Sequence, residues 1–125
     1  MQYLVGTDSV HTTAAICDYL AARATATDAV SVGAVAPSDE PTVRRDCQEA
    51  LNVATVRLAT VGDIDTVLRE GDPASELLEA AAEIEADELV VGVGGDACSS
   101  ERGSTVSAVL DGATRPVVVV PLSEL

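Results

Sequence analysis

Residues 90 to 106 read VVGVGGDACSSERGSTV. An apolar run gives way to Gly92, Gly94 and Gly95, and seven polar or small residues, Asp96 to Arg102, separate these from Gly103, Ser104 and Thr105. Glycines so placed allow close backbone approach and positive φ, which exposes N–H groups. A helix opening on Gly-Ser-Thr adds its own N-terminal N–H groups, its dipole and two hydroxyls. That chemistry suits a phosphate. A Walker A loop is excluded, because the chain has no lysine. Residues 92 to 97 spell G-x-G-x-x-A, but they follow the fourth strand-like segment and precede any helix by several residues, so the dinucleotide fingerprint is only weakly matched. A glycine-rich turn that packs closely and binds nothing is the competing explanation.

Asp8, in Gly6-Thr7-Asp8-Ser9, is the other residue placed for ligand chemistry; it can equally cap the first helix. His11 falls in the first turn of that helix and is expected in solvent. Cys17 and Cys47 are in phase with apolar neighbours on helical patterns and read as core, which leaves Cys98 as the one candidate exposed thiol. The sole histidine is on another helix, so no thiol–base pair is supported. No metal-ligand spacing is present, and only Asp8 or Asp96 could stand as a base near a bound phosphate. Glu76, Glu79, Glu83 and Glu85 read as a solvated helix face, and Arg44-Arg45 is too small a basic patch for nucleic acid.

Five β-rich segments must position these residues: Gln2 to Thr7, Ala29 to Val35, Asp63 to Arg69, Glu88 to Val93 and Pro116 to Val120. Helical spacing fills the gaps between them, over Thr12 to Ala26 and Val43 to Ala59. The third helix is announced by Asp72 as cap and Pro73 in the first turn, with Leu77, Leu78, Ala81 and Ile84 as its buried stripe. The fourth helix is expected from about Gly103 to Gly112. Strict β-α alternation with continuous apolar strands such as VVVV implies an open five-stranded parallel sheet with helices on both faces, an α/β fold of the flavodoxin-like or Rossmann-like class. With strand order 3-2-1-4-5, the winding reverses between strands one and four, and the segments after those strands border the crevice where ligands bind.

The 125 residues are expected to form one domain over 1–125, with a core of Val, Ala, Leu and Ile, since there is no Phe or Trp. An odd cysteine count without metal spacing fits a reducing compartment. No apolar run nears the ~18 residues of a membrane span, and no signal peptide is recognisable. The expectation is a cytoplasmic protein. Eleven Asp and ten Glu face seven Arg, a net charge of −14, which repels nucleic acid and anionic membranes. Molar salt shortens the Debye length to about 3 Å and removes most of the self-repulsion. Arg in place of Lys with abundant Asp, Thr, Ala and Val resembles halophile proteins.

Taken together, YLVGTDS, REGDPASELLEAAAEIEADELVVG, the glycine loop, GSTVSAVL and RPVVVVP resemble, from end to end, a small universal stress protein of the UspA type. The nucleotide motif of that family is Gly, two residues, Gly, nine residues, Gly, then Ser or Thr. Gly92 and Gly95 match its first spacing and Gly103-Ser104 its ending, with seven residues between where the family has nine, and Asp96 where a basic residue is common. The resemblance implies the adenine nucleotide alpha hydrolase-like variant of the fold. It implies ATP, or AMP or ADP, with Mg²⁺: adenine and ribose against Asp8 and Val35, phosphates against Gly92, Gly95, Gly103, Ser104 and Thr105; against the charge of Asp96, Arg102 could supply a cation. It further implies a homodimer through Pro116 to Val120, a stress-response role toward an unidentified protein partner, and, as alternatives, a dimeric scaffold without nucleotide or a slow ATPase that autophosphorylates at Ser99, Ser100, Ser104 or Thr105.

Overall fold

The computed structural model describes residues 1–59, 63–93 and 100–121. Five strands, β1 (Gln2–Thr7), β2 (Ala29–Ala36), β3 (Asp63–Glu70), β4 (Glu88–Val93) and β5 (Val117–Pro121), alternate with four helices, α1 (Val10–Ala21), α2 (Pro41–Arg57), α3 (Pro73–Glu83) and α4 (Ser100–Gly112). All pairings are parallel and the order is β3-β2-β1-β4-β5, as the alternation predicts.

The sheet separates two apolar clusters. One packs Val5, Val30, Val32 and Ala34 against Ile16, Cys17 and Leu20 of α1 and Cys47, Leu51 and Ala54 of α2. The other packs Leu4, Val35, Leu89 and Val91 against Leu77, Ala80 and Ala81 of α3 and Val106 and Val109 of α4. Small residues set the spacing between layers. A Cβ added at Gly6 would stand 2.6 Å from Leu77 Cδ1, so glycine is what lets α3 settle onto β1.

Helix boundaries follow local hydrogen bonding. Pro41 occupies the first helical turn of α2, two residues ahead of the expected start, because its fixed φ suits that position and its missing N–H costs nothing there. The expected continuation of α1 to Ala26 is corrected to Ala21. Beyond it, Asp28 Oδ2 accepts the Thr25 N–H at 2.8 Å and the Thr25 carbonyl accepts the Asp28 N–H at 3.0 Å, a side-chain turn that competes with the helical ladder. Asp72 caps α3 as expected, its carboxylate accepting the Ser75 N–H at 3.0 Å. That helix closes with Glu85 in the left-handed region, at φ 52°. The glutamate face is not wholly solvated. Arg69 donates to the Glu76 carbonyl at 3.0 Å and to the Glu83 carboxylate at 2.9 Å, tying β3 to α3, and Arg115 donates to the Ala81 and Ala86 carbonyls at 3.1 and 2.7 Å.

Candidate functional site

The chain winds one way through α1 and α2 and the other way through α3 and α4, so the reversal lies between β1 and β4. Gly6 is in register with Val91 and Thr7 with Ala34. One residue on, Gly92 is level with Thr7 and Val35 is level with Asp8. Three of the sequence-derived site residues therefore share the carboxyl end of the sheet at its switch point.

The turn from β1 into α1 is knit by hydroxyls. Thr7 and Thr13, 6% and 1% exposed, place their Oγ1 atoms 2.7 Å apart, and both reach the Ser9 carbonyl, at 3.2 and 3.0 Å. Each hydroxyl has one proton, so one of the pair donates to its fellow while the other donates to Ser9. Ser9 is the N-cap of α1: its Oγ accepts the Thr12 N–H at 3.2 Å. The capping role left open for Asp8 thus belongs to Ser9. Asp8 stands just outside the helix, exposed, with its Oδ1 accepting the Thr12 hydroxyl at 3.0 Å.

Cys47 of α2 lies within electrostatic reach of this carboxylate. Burial pushes its thiol up, the charges of Asp8 and Asp46 push further, and Arg44 pulls the other way. Burial likewise raises the Cys17 thiol to about 11. Both are inert core cysteines, as their helical phase indicated. Arg44 is itself paired with Glu70 at 3.3 Å. Among the described residues no group of three His, Cys, Asp or Glu side chains is placed to hold a metal ion.

The model of the universal stress protein family matches residues 3–121. The chain belongs to that family. Solved structures similar to this universal stress protein include one described as a universal stress protein in complex with cAMP, 26% identical, with a TM-score of 0.73 over 98% of each chain. Another is the universal stress protein from Archaeoglobus fulgidus in complex with dAMP, 18% identical, with a TM-score of 0.73 over 96% of this chain and 97% of its own. A third is a family protein from Arabidopsis thaliana with AMP bound, 13% identical, with a TM-score of 0.74 over 99% of this chain and 93% of its own. The latter two share the fold. No curated protein sequence matches the chain.

For this universal stress protein, two sequence expectations about the site change in detail. Val35 is only 4% exposed and its side chain packs with Leu4, Ala74 and Leu77 under α3, so only its main chain can face a ligand. The fourth helix starts at Ser100, not at Gly103. Glycine is a poor helix former but is tolerated inside one at about 1 kcal/mol, and Ser-Glu suits a first turn, where a negative side chain meets the positive end of the dipole. Gly103 and Ser104 are therefore its fourth and fifth residues, and Thr105, half-buried, its sixth. The N–H groups that a helix leaves open are those of its first turn. These come from Ser100 to Arg102, ahead of the Gly-Ser pair. Gly94, Gly95, Asp96 and Cys98 lie outside the described residues, as does Ser99.

The hydroxyls of Thr7, Ser9, Thr12 and Thr13 are what sequence reasoning missed. Their signal was present, four Ser or Thr within seven positions after an apolar strand, with Ser9 and Thr12 at capping spacing.

Proposed function

We propose that this universal stress protein binds an adenine nucleotide in the crevice between β1 and β4, as a cytoplasmic homodimer that signals through its occupancy to a protein partner. The observation that carries the reading is Asp8, its carboxylate held by the Thr12 hydroxyl, one residue past the level of the side-chain-free Gly92 on the neighbouring strand at the switch point. Asp8 and the Val35 main chain would take the nucleoside. Gly92, Gly95 and the start of α4, with Gly103, Ser104 and Thr105 behind it, would take the phosphates, through N–H groups and the helix dipole. The three solved relatives named above hold cAMP, dAMP and AMP, all adenine nucleotides.

ATP with Mg²⁺ is the full ligand in this reading. Mg²⁺ keeps several waters and binds substrate phosphates in preference to an all-protein cage, so it would enter with the nucleotide. The homodimer is supported by β5, which among the described residues is an edge strand paired with β4 alone, and on which Val117, Val118 and Val119 remain half-buried. Two buried thiols, Cys17 and Cys47, are consistent with a reducing compartment.

Calorimetric titration with Mg-ATP and with AMP in about 2 M KCl tests the proposal. Saturable binding is expected, weakened by about tenfold or more in Asp8→Ala. A folded protein that binds neither nucleotide would transfer the case to the scaffold reading.

A further inference from the structure

The hydroxyl chain at the mouth of the crevice has a direction. A carboxylate only accepts hydrogen bonds, so the 3.0 Å contact between Thr12 Oγ1 and Asp8 Oδ1 uses the single proton of Thr12. Thr12 must then accept in its contact with Ser9 Oγ, also at 3.0 Å, which spends the proton of Ser9. Ser9 Oγ in turn accepts the Thr12 N–H at 3.2 Å. Each proton is used once, and every donor points toward Asp8. Such a run polarises along its length, and its last link ends on a charge, the stronger kind of hydrogen bond.

The run is also rigid. Thr12 is 3% exposed and sits in the first turn of α1, whose cap is the same Ser9. Beneath it the buried Thr7–Thr13 pair pins the Ser9 carbonyl, so the turn cannot shift without breaking both layers. An exposed aspartate at the end of a strand would ordinarily sample several rotamers; this one is held from behind.

We propose that Thr12 is a positioning residue, which through its hydroxyl holds the Asp8 carboxylate as a fixed acceptor facing the crevice. The ligand group that meets Asp8 must accordingly be a hydrogen-bond donor or a cation, and of a nucleoside the ribose hydroxyls and the adenine amine are such donors. The inference rests on the nucleotide reading for its ligand, but the pre-organisation itself is a property of the free protein. Ordering a side chain before binding spares the cost of ordering it during binding.

The test uses Thr12→Val, which keeps the shape and removes the hydroxyl, and Thr12→Ser, which keeps the hydroxyl and removes the methyl. Two quantities are read in about 2 M KCl: the Asp8 χ1 population from NMR three-bond couplings in the free protein, and AMP affinity by calorimetry. One χ1 rotamer is expected in the parent and in Thr12→Ser, and averaging in Thr12→Val, with AMP binding about tenfold weaker in Thr12→Val alone. An unchanged χ1 in Thr12→Val overturns the proposal, as does equal weakening by both variants, which would mark a packing effect. If the parent binds no AMP, the nucleotide reading fails, while the χ1 comparison still decides the role of Thr12. Should Thr12→Val not fold, Thr12→Ala removes the same hydroxyl, and an Asp8 χ1 distribution identical to the parent's there overturns the proposal.

Discussion

At the scale of single residues, Gly6 shows how a side chain's absence can be structural. It borders the crevice in sequence, yet its missing Cβ leaves the space that Leu77 fills. Gly6→Val is expected to cost about 1–3 kcal/mol by overpacking, since Leu77 is buried and cannot swing clear. Thermal unfolding followed by circular dichroism checks this. Legibility at this scale depended on what kind of partner a residue has. Leu77, Ala81, Cys17 and Cys47 declared their burial through period, because the partner of an apolar side chain is a whole face. Thr7, Thr12 and Thr13 showed in sequence only as a cluster of hydroxyls; their pairing was hidden because their partners are particular oxygen atoms across a turn, and a hydroxyl in sequence looks the same whether it faces water or a neighbour. Val35 was placed at the correct end of the sheet, but its side chain alternates to the side beneath α3.

At the scale of elements, helix beginnings were legible where a cap and a proline occur together. Asp72-Pro73 located α3 to the residue, and the Asp72 carboxyl is held below its ordinary value of 3.8 chiefly by hydrogen bonds from Ser75. A depressed carboxyl in the folded state stabilises fully above the unfolded pKa and loses that contribution as pH falls through the folded one. Asp72→Ala should therefore melt below the parent at pH 7, with the gap closing as the pH falls through the lowered carboxyl pKa of the folded state. A gap that persists undiminished at low pH would show that the cap does not act through its charge. Where no such pair exists, the boundary moved. The Thr25–Asp28 turn ended α1 early, and α4 began at Ser100 because the penalty of Gly103 inside a helix is small against the bonds gained by extending it. These are contests of about 1 kcal/mol, below what spacing alone resolves.

At the scale of the molecule, strand order was legible because alternation of strands with helices and the right-handedness of crossovers leave so few arrangements. Charge was equally plain. Twenty-one acidic residues face seven arginines, and the ion pairs of Arg44 with Glu70 and Arg57 with Asp18 lie at the surface, where they add little. Self-repulsion among the unpaired carboxylates should dominate the response to salt. Raising KCl from about 0.1 to about 2 M is expected to raise the melting temperature by about 5–10 °C, the shift that one to two kcal/mol makes in a domain of this size. A melting temperature that falls over that range would refute a stability limited by repulsion.

Glu85 lies where α3 turns into β4, at the amino-terminal end of the strands and so across the sheet from Asp8, Val35 and Gly92. A side chain in the left-handed region costs roughly 1–2 kcal/mol, most of which Gly or Asn would recover. The molecule thus holds a strained backbone joint at one pole of the sheet and the switch-point crevice at the other. One exchange at that strained joint, Glu85→Gly, should therefore raise the melting temperature and leave the crevice between β1 and β4 as it is.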